Sequence, residues 1–371
     1  MTAPLIDTTA APPAIHAMLP GQLAAHLRAH GVHVRDEESR RLLAWVISHG
    51  RDDLDAMARP VPRAVREAAR ALTSWAHPEI VERVPDPHDG SLRYLFKAHD
   101  GHLFEAVRIP LHKPGHFSVC LSSQAGCAMQ CAFCATGRLG LKRSLDAAEM
   151  VGAFLAVRGE APGRLSGAVF MGQGEPFHNY DAVIQAADVI AHPCGGRVSQ
   201  KSITISTVGL VPKIRRFTEE GHRFRLIVSL TSAIPEKRDR LLPVASRWPL
   251  PELADALRLH AEASGTRVTL AWVLMGGVNH GQDEVEAIAR HFHGIPLRLN
   301  LIDINDARPD GFRRATDAER NAFIDALQVL GVPIVRRYSV GQEQNSACGM
   351  LASTYASELG VNATLSAEPT P

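Results

Sequence analysis

The spacing of apolar positions divides the chain into three regions. Over 14–72 apolar residues recur at helical intervals, as at Leu23 and Leu27 and again at Leu42, Leu43, Val46 and Ile47, with Gly31 and Gly50 as stop signals. This predicts a small helical module over 14–79. Over 80–110 the pattern shortens to β-prone runs, 91–97 and 103–109, separated by Gly and Asp turns, so 80–116 reads as a β-rich linker. After Phe117, short β-branched runs alternate with amphipathic stretches of helix length, the mark of βα units around a parallel sheet. Strands are predicted at 118–121, 167–171, 202–206, 225–230, 267–273, 297–302 and 333–337. The predicted helices are 146–158, 180–190, 210–219, 251–263, 283–293 and 317–330. About six βα units are too few to close an eight-fold barrel. The predicted fold class is therefore α/β: an open, partial (β/α)6 barrel over 117–353, preceded by the helical module. Ligands in such a fold gather at the C-terminal ends of the strands. The flanks 1–13 and 354–371 lack periodicity and read as disordered tails.

Composition narrows the class without naming an activity. The 371 residues leave room for about two domains, and 45% hydrophobic with 21% charged residues is ordinary for a soluble protein. No stretch of about 18 apolar residues suggests a membrane span, and no basic flank with an apolar core suggests a leader, so a cytoplasmic location is expected. A net charge of +1 neither points to nucleic acid nor excludes it, because a basic footprint can occupy one face. The cysteines are more telling. Of six, Cys120, Cys127, Cys131 and Cys134 fall within fifteen residues, which argues for metal or redox chemistry rather than a disulfide framework.

Cys127-Ala-Met-Gln-Cys131-Ala-Phe-Cys134 follows a predicted strand with spacing C-x3-C-x2-C. Three thiolates can hold three irons of a [4Fe–4S] cluster and leave the fourth open to a substrate. A zinc knuckle is the competing reading, but structural zinc wants four ligands, and His116 or Cys120 would have to supply the last. One βα unit later stands Met171-Gly-Gln-Gly-Glu-Pro176. Gly174 and its neighbour allow close backbone approach, and Glu175 offers a carboxylate to an ammonium group.

These two motifs together resemble radical S-adenosylmethionine (SAM) enzymes. In detail the chain resembles the dual-specificity 23S ribosomal RNA and transfer RNA adenine-C2 methyltransferases and their C8-methylating relatives, over about 21–353. The specific elements are Cys120, in Val-Cys-Leu-Ser-Ser-Gln-Ala-Gly-Cys, and Cys348, in Ser346-Ala-Cys-Gly-Met-Leu351. The resemblance implies a [4Fe–4S] cluster on Cys127, Cys131 and Cys134, with SAM as second cofactor. It implies that Cys348 accepts a methyl group, that a radical made from a second SAM activates this methyl for addition to the ring, and that Cys120 resolves the adduct through a transient disulfide with Cys348. Glu105 corresponds to the proton acceptor. SAM contacts carried over the same way are Gly174, Glu175, Ser206, Ser229, Leu230, Thr231 and Asn305. An RNA substrate, ribosomal or transfer, an electron donor such as flavodoxin or ferredoxin and a monomeric state are also implied.

The chain departs from the family pattern at Thr231, where histidine is usual, at Asn305, which lacks flanking prolines, and at Val340, where an arginine–glycine pair would begin. Basic candidates for RNA contact are Arg108, His112, Lys113, Arg138, Lys142, Arg143, Arg215 and Arg216. Two other readings remain: a radical SAM C-methylase of a peptide or small metabolite, and a non-catalytic, zinc-stabilised RNA-binding protein.

Overall fold

The computed structural model describes residues 11–305, 311–337, 350 and 351; Cys348, Val340 and most of both predicted tails lie outside the described residues. The helical region forms α1 (Pro20–Ala29), α2 (Asp36–Leu43) and α3 (Arg63–Leu72). The β-prone run that follows forms β1 (Glu79–Pro85), β2 (Leu92–Lys97) and β3 (Leu103–Pro110). Next come β4 (His116–Leu121) and a short hairpin, β5 (Gln124–Gly126) with β6 (Leu141–Ser144), enclosing the cysteine loop and α4 (Ala135–Arg138).

From there helices and strands alternate: α5 (Ala147–Glu160), β7 (Arg164–Phe170), α6 (Tyr180–Ala191), β8 (Ile203–Thr207), α7 (Val211–Glu219) and β9 (Arg225–Ser229). They continue with α8 (Pro235–Leu241), α9 (Leu250–Ser264), β10 (Val268–Leu274), α10 (Gln282–His291), β11 (Leu297–Asp303), α11 (Asp317–Leu327) and β12 (Ile334–Arg337). Ten strands make one sheet in the order β1-β2-β3-β4-β7-β8-β9-β10-β11-β12. The first four pair antiparallel, and from β4 onward every pair is parallel. The parallel portion is the predicted partial barrel of six βα units, with boundaries within a few residues of those read from the pattern. β1 to β3 extend the same sheet at its β4 edge.

Both faces of the parallel strands are covered, which is why their sequences are apolar runs rather than strict alternations. One face packs on the helices: Phe170, Ile205, Val228, Leu270 and Trp272 are buried with Phe217, Leu257, Ile288 and Phe323. The other face lines the barrel interior, where Ile227, Ala271 and Ile302 gather with Met171. Helix starts are locally encoded. Asp146 accepts from the Glu149 N–H at 2.8 Å and donates its own N–H back to Glu149 at 3.0 Å, and Thr316 and Glu319 repeat the arrangement on α11.

The leading segment is tied to the barrel. Gln185 Nε2 on α6 donates to Ala17 O at 2.8 Å, and residues of α1 and α2 belong to the same apolar cluster as α5 and α6. His16 is buried, stacks on His77 at 4.2 Å and bonds Ala148 O through Nε2 at 3.0 Å. Its Nδ1 has no partner, so a second ring proton would be buried unpaired. Burial, followed by repulsion from His77, pulls its pKa down to about 4 from 6.5. Because the unfolded chain binds this proton first, stability should fall as pH drops from about 6.5 towards 4, by roughly 2–3 kcal/mol for this group. His260, lowered by burial to about 4, adds a slope of the same sign. Urea titrations at several pH values should find a shallower loss of stability between pH 6.5 and 4 in His16→Gln than in the wild type, by roughly the same 2–3 kcal/mol.

Candidate active site

The cysteine loop is shaped by three backbone constraints. Gly126 has φ +76°, and a Cβ there would lie 2.0 Å from the Gly140 carbonyl oxygen, which also accepts the Cys127 N–H at 3.1 Å. Gln130 turns the chain at φ 53°. Gly137 lets α4 press against the Cys131 backbone, where a Cβ would meet the Cys131 nitrogen at 3.1 Å. Cys127, Cys131 and Cys134 thereby line one cavity at the C-terminal ends of the parallel strands. Burial pushes the Cys127 thiol up to about 12 and the Cys131 thiol well above its ordinary value.

Across the cavity lies the glycine motif. A Cβ at Gly172 would strike the Ser122 nitrogen at 2.7 Å, and Gly174, at φ +98°, passes Gln124 equally closely. These approaches seat Glu175 in a buried frame, its Oε1 accepting the Phe177 N–H and its Oε2 the Val208 N–H, both at 2.9 Å. Burial dominates over these bonds and raises its pKa to about 7. A cationic partner would restore its charge, as an ammonium group does.

Ser206 and Ser229, at the ends of β8 and β9, also line the cavity, as do Gly174, Glu175 and Asn305. Leu230 and Thr231 are not among the lining residues. Both are fully buried behind Ser229, and Thr231 has φ 59°.

Glu105 and Cys120 stand beside the cavity rather than in its lining. Cross-strand pairing of Val107 with Cys120 and of Cys120 with Val169 puts Glu105, Cys120 and Met171 on the inner face of the sheet. Glu105 is fully buried; Arg93 Nη1 meets its Oε1 at 2.6 Å and Gln173 Nε2 donates to its Oε2 at 3.0 Å. Gln173 lies between the motif glycines, so Glu105 is connected to the cavity rim. Cys348 lies outside the described residues, but Leu351, three positions later, lines the cavity and accepts from Thr136 Oγ1 at 2.9 Å.

A model of the radical SAM superfamily matches residues 121–292. A probable RNA methyltransferase of Anaeromyxobacter sp. is 52% identical over 85% of this chain and 93% of its own. A probable dual-specificity RNA methyltransferase RlmN of Heliobacterium modesticaldum is 35% identical over 92% of this chain and 89% of its own. The solved structure of a radical SAM methyltransferase from Sphaerobacter thermophilus superposes with TM-score 0.82 at 34% identity, covering 91% of this chain and 99% of that one. The chain belongs to the radical SAM RNA methyltransferase family.

As a radical SAM enzyme it uses a [4Fe–4S] cluster and SAM. The donor set fits. Among the described residues His99, Asp146 and Glu149 bring ligand atoms within 4.8 Å of one another. Thiolates on one tetrahedral zinc ion would be about 3.8 Å apart, from bonds of about 2.3 Å. That ion would also take a fourth ligand, and among the described residues the lining of the cavity includes no histidine and no further cysteine, which suits a cluster that keeps one iron open. The His99 trio is no rival, since both Glu149 oxygens are engaged by Arg143.

Sequence reasoning missed Gln173 and Arg93, the partners of Glu105, and Arg238 on α8 beneath the cysteine loop. Gln173 was readable as the polar residue between two constrained glycines; nothing local marks the others. Three proposed RNA contacts are engaged within the protein. Arg143 pairs with Asp100 and Glu149, Arg216 with Asp181 and Glu220, and Arg108 donates to Glu160 O at 3.1 Å. His112, Lys113, Lys142 and Arg215 are exposed.

Gly126→Ala should fold yet load less than half of the wild-type iron, because its Cβ displaces the strand that positions Cys127. Gly140→Ala, with φ +66° but open space around its Cβ, should cost only about 1 kcal/mol of backbone strain and load normally. Iron and sulfide determination after anaerobic reconstitution, alongside thermal melts, compares the two.

Proposed function

We propose that this protein methylates adenine C2, or alternatively C8, of ribosomal or transfer RNA through an S-methylated Cys348. Its curated relatives at 52% and 35% identity are named as RNA methyltransferases, the second as a dual-specificity one. The observation that carries the chemical reading is that Glu105 and Cys120, neither of which belongs to the cysteine loop, share one sheet face with Met171 at the cavity wall. A radical SAM enzyme of other purpose has no evident use for that pair.

In this reading Cys127, Cys131 and Cys134 hold the cluster, which when bound supplies the electron that converts SAM to a deoxyadenosyl radical. Glu175, in the cavity lining, would accept from the ammonium group of SAM. Gly174 keeps the backbone clear, while Ser206, Ser229 and Asn305 furnish polar contacts at successive strand ends. Leu230 and Thr231 act from behind through the backbone that carries Ser229. Cys348 takes a methyl group, a reaction its thiolate can perform and a ring carbon of adenine cannot. Once the carbon–carbon bond is made, the ring would lose one electron to an external acceptor and its proton to Glu105; the Cys120 thiolate would then attack the Cys348 sulfur, breaking its bond to the new carbon, which is protonated to a methyl group, and the resulting disulfide would be reduced by an external dithiol.

Exposed Lys113, Lys142 and Arg215 are available to phosphate, and the helical region 14–79 serves as an RNA-binding accessory domain. The electron comes from a flavodoxin or ferredoxin, and the enzyme acts as a cytoplasmic monomer. Among the described residues no helix is long and apolar enough to cross a membrane.

The two cysteines outside the loop should give phenotypes that differ in kind. Cys348→Ala should keep its cluster and bind SAM but yield no methylated RNA and no S-methylated peptide by mass spectrometry. Cys120→Ala should accumulate a covalent RNA–protein adduct, seen as a nuclease-sensitive shift on a denaturing gel. Wild-type methylation by both variants would sink the reading. Glu105→Gln should likewise stall after adduct formation. Because it removes the buried carboxylate at 2.6 Å and leaves Arg93 the half-exposed Glu82 at 4.0 Å, it should also cost about 2–3 kcal/mol of stability, measurable by denaturant titration.

A further inference from the structure

Arg238, on α8, is 2% exposed and lies against the base of the cysteine loop, where Ala132 N–H bonds Leu241 O of the same helix at 3.0 Å. Its Nη1 donates to Ser229 O at 3.0 Å and to Leu230 O at 2.5 Å, and its Nη2 donates to Val208 O at 2.9 Å. Its Nε is buried and has no partner. These partners are neutral carbonyls, and among the described residues no carboxylate forms an ion pair with it. The neighbouring Asp239 is on the exposed side of the helix.

Joining three strand-end carbonyls would need donors but no charge. A buried guanidinium without a counter-ion is costly, so the charge calls for its own explanation. Two negative groups act on Arg238: Asp239, on the exposed side of the helix where solvent screens it, and then the buried sulfur of Cys131, which lines the same cavity as Val208 and Ser229, whose carbonyls Arg238 holds. Three thiolates on a [4Fe–4S] core carry net negative charge, and reduction adds one unit more. A nearby cation in a low-dielectric setting stabilises the more negative state.

We propose that Arg238 is the buried counter-charge of the iron–sulfur cluster, raising its reduction potential by favouring the reduced form. The inference rests on the reading that Cys127, Cys131 and Cys134 hold that cluster. One electron from an external reductant enters the cluster and no proton needs to move. Arg238 acts through its field and is not a catalytic residue.

The test is a potentiometric titration of the full-length, anaerobically reconstituted protein, poised with dithionite and mediators and followed by the electron paramagnetic resonance signal of the reduced cluster. Arg238→Gln and Arg238→Met remove the charge, the first keeping an amide donor for the carbonyls; Arg238→Lys keeps the charge and loses the fork. Both neutral variants should shift the midpoint to lower potential, with Arg238→Lys close to wild type. Neutral variants with a full cluster and a wild-type midpoint overturn the inference, as does Arg238→Lys shifted as far as Arg238→Gln. If neither neutral variant loads iron but Arg238→Lys does, the counter-charge is supported through assembly. If Arg238→Lys fails with them, the residue is only a carbonyl clamp and the inference falls. A wild-type chain that binds no iron would overturn the underlying reading, and iron content separates that failure from an unshifted potential.

Discussion

Where parallel strands end inside a protein, backbone donors and acceptors lose their ladder partners away from water, and they must be satisfied by something else. Here that demand is met by buried polar side chains, and their placement creates the site. Glu175 takes the Val208 N–H while Arg238 takes the Val208 carbonyl, so an acid and a cation are held on either side of one residue. Arg238 also gathers the carbonyls of Ser229 and Leu230. Asn279 binds the carbonyls of Thr231 and Val273 and the N–H of Met275, closing the end of β10 against β9. The same bonds that stop the strands fix Ser206 and Ser229 at the cavity and support the cysteine loop.

A second consequence concerns where charge can sit. The floor of the cavity is apolar, with Ile227, Ala271 and Ile302 on the inner face, so each ionisable group near it is strongly felt. Glu175 is raised by burial and Arg238 lowered to about 10 for the same reason, while Glu105 is anchored by Arg93. Cationic SAM and an anionic cluster complement this set. Glu175 has no cation bonded to it among the described residues, and the guanidinium of Arg238 is bonded only to carbonyls.

Much of this architecture was legible in the sequence because it is carried by local signals. Strand positions followed from β-branched runs such as Ile203 and Ile205, helix starts from Asp146 and Glu149 or Thr316 and Glu319, and the cysteine loop from spacing alone. Glu105 and Cys120 were recognisable only through family resemblance, since an isolated strand glutamate and a free cysteine carry no local mark. Arg93, the cation that pairs with Glu105, depends on register, which a single sequence does not fix. α8 spans only Pro235–Leu241, too short for periodicity, so Arg238 read as one charge among many. Arg143 and Arg216 read as free surface cations because their acidic partners include Asp100 and Asp181, distant in sequence.

Thr231 brings these points together. It stands where the sequence resemblance leads one to expect histidine, and the surroundings use its backbone: its carbonyl accepts from Asn279 at 2.7 Å and its N–H donates to Ala271 O at 3.3 Å. The chain is held at φ 59°, a conformation costly for a β-branched residue, and the hydroxyl is buried with no partner among the described residues. A side chain selected for packing would satisfy neither condition so poorly. The left-handed turn is what directs Leu230 O to Arg238 and leaves Ser229 at the cavity wall, so the geometry tolerates a change of side chain while requiring the strained backbone. A departure from the family pattern at this position therefore leaves the support of the cysteine loop unaltered, because that support runs through main-chain carbonyls.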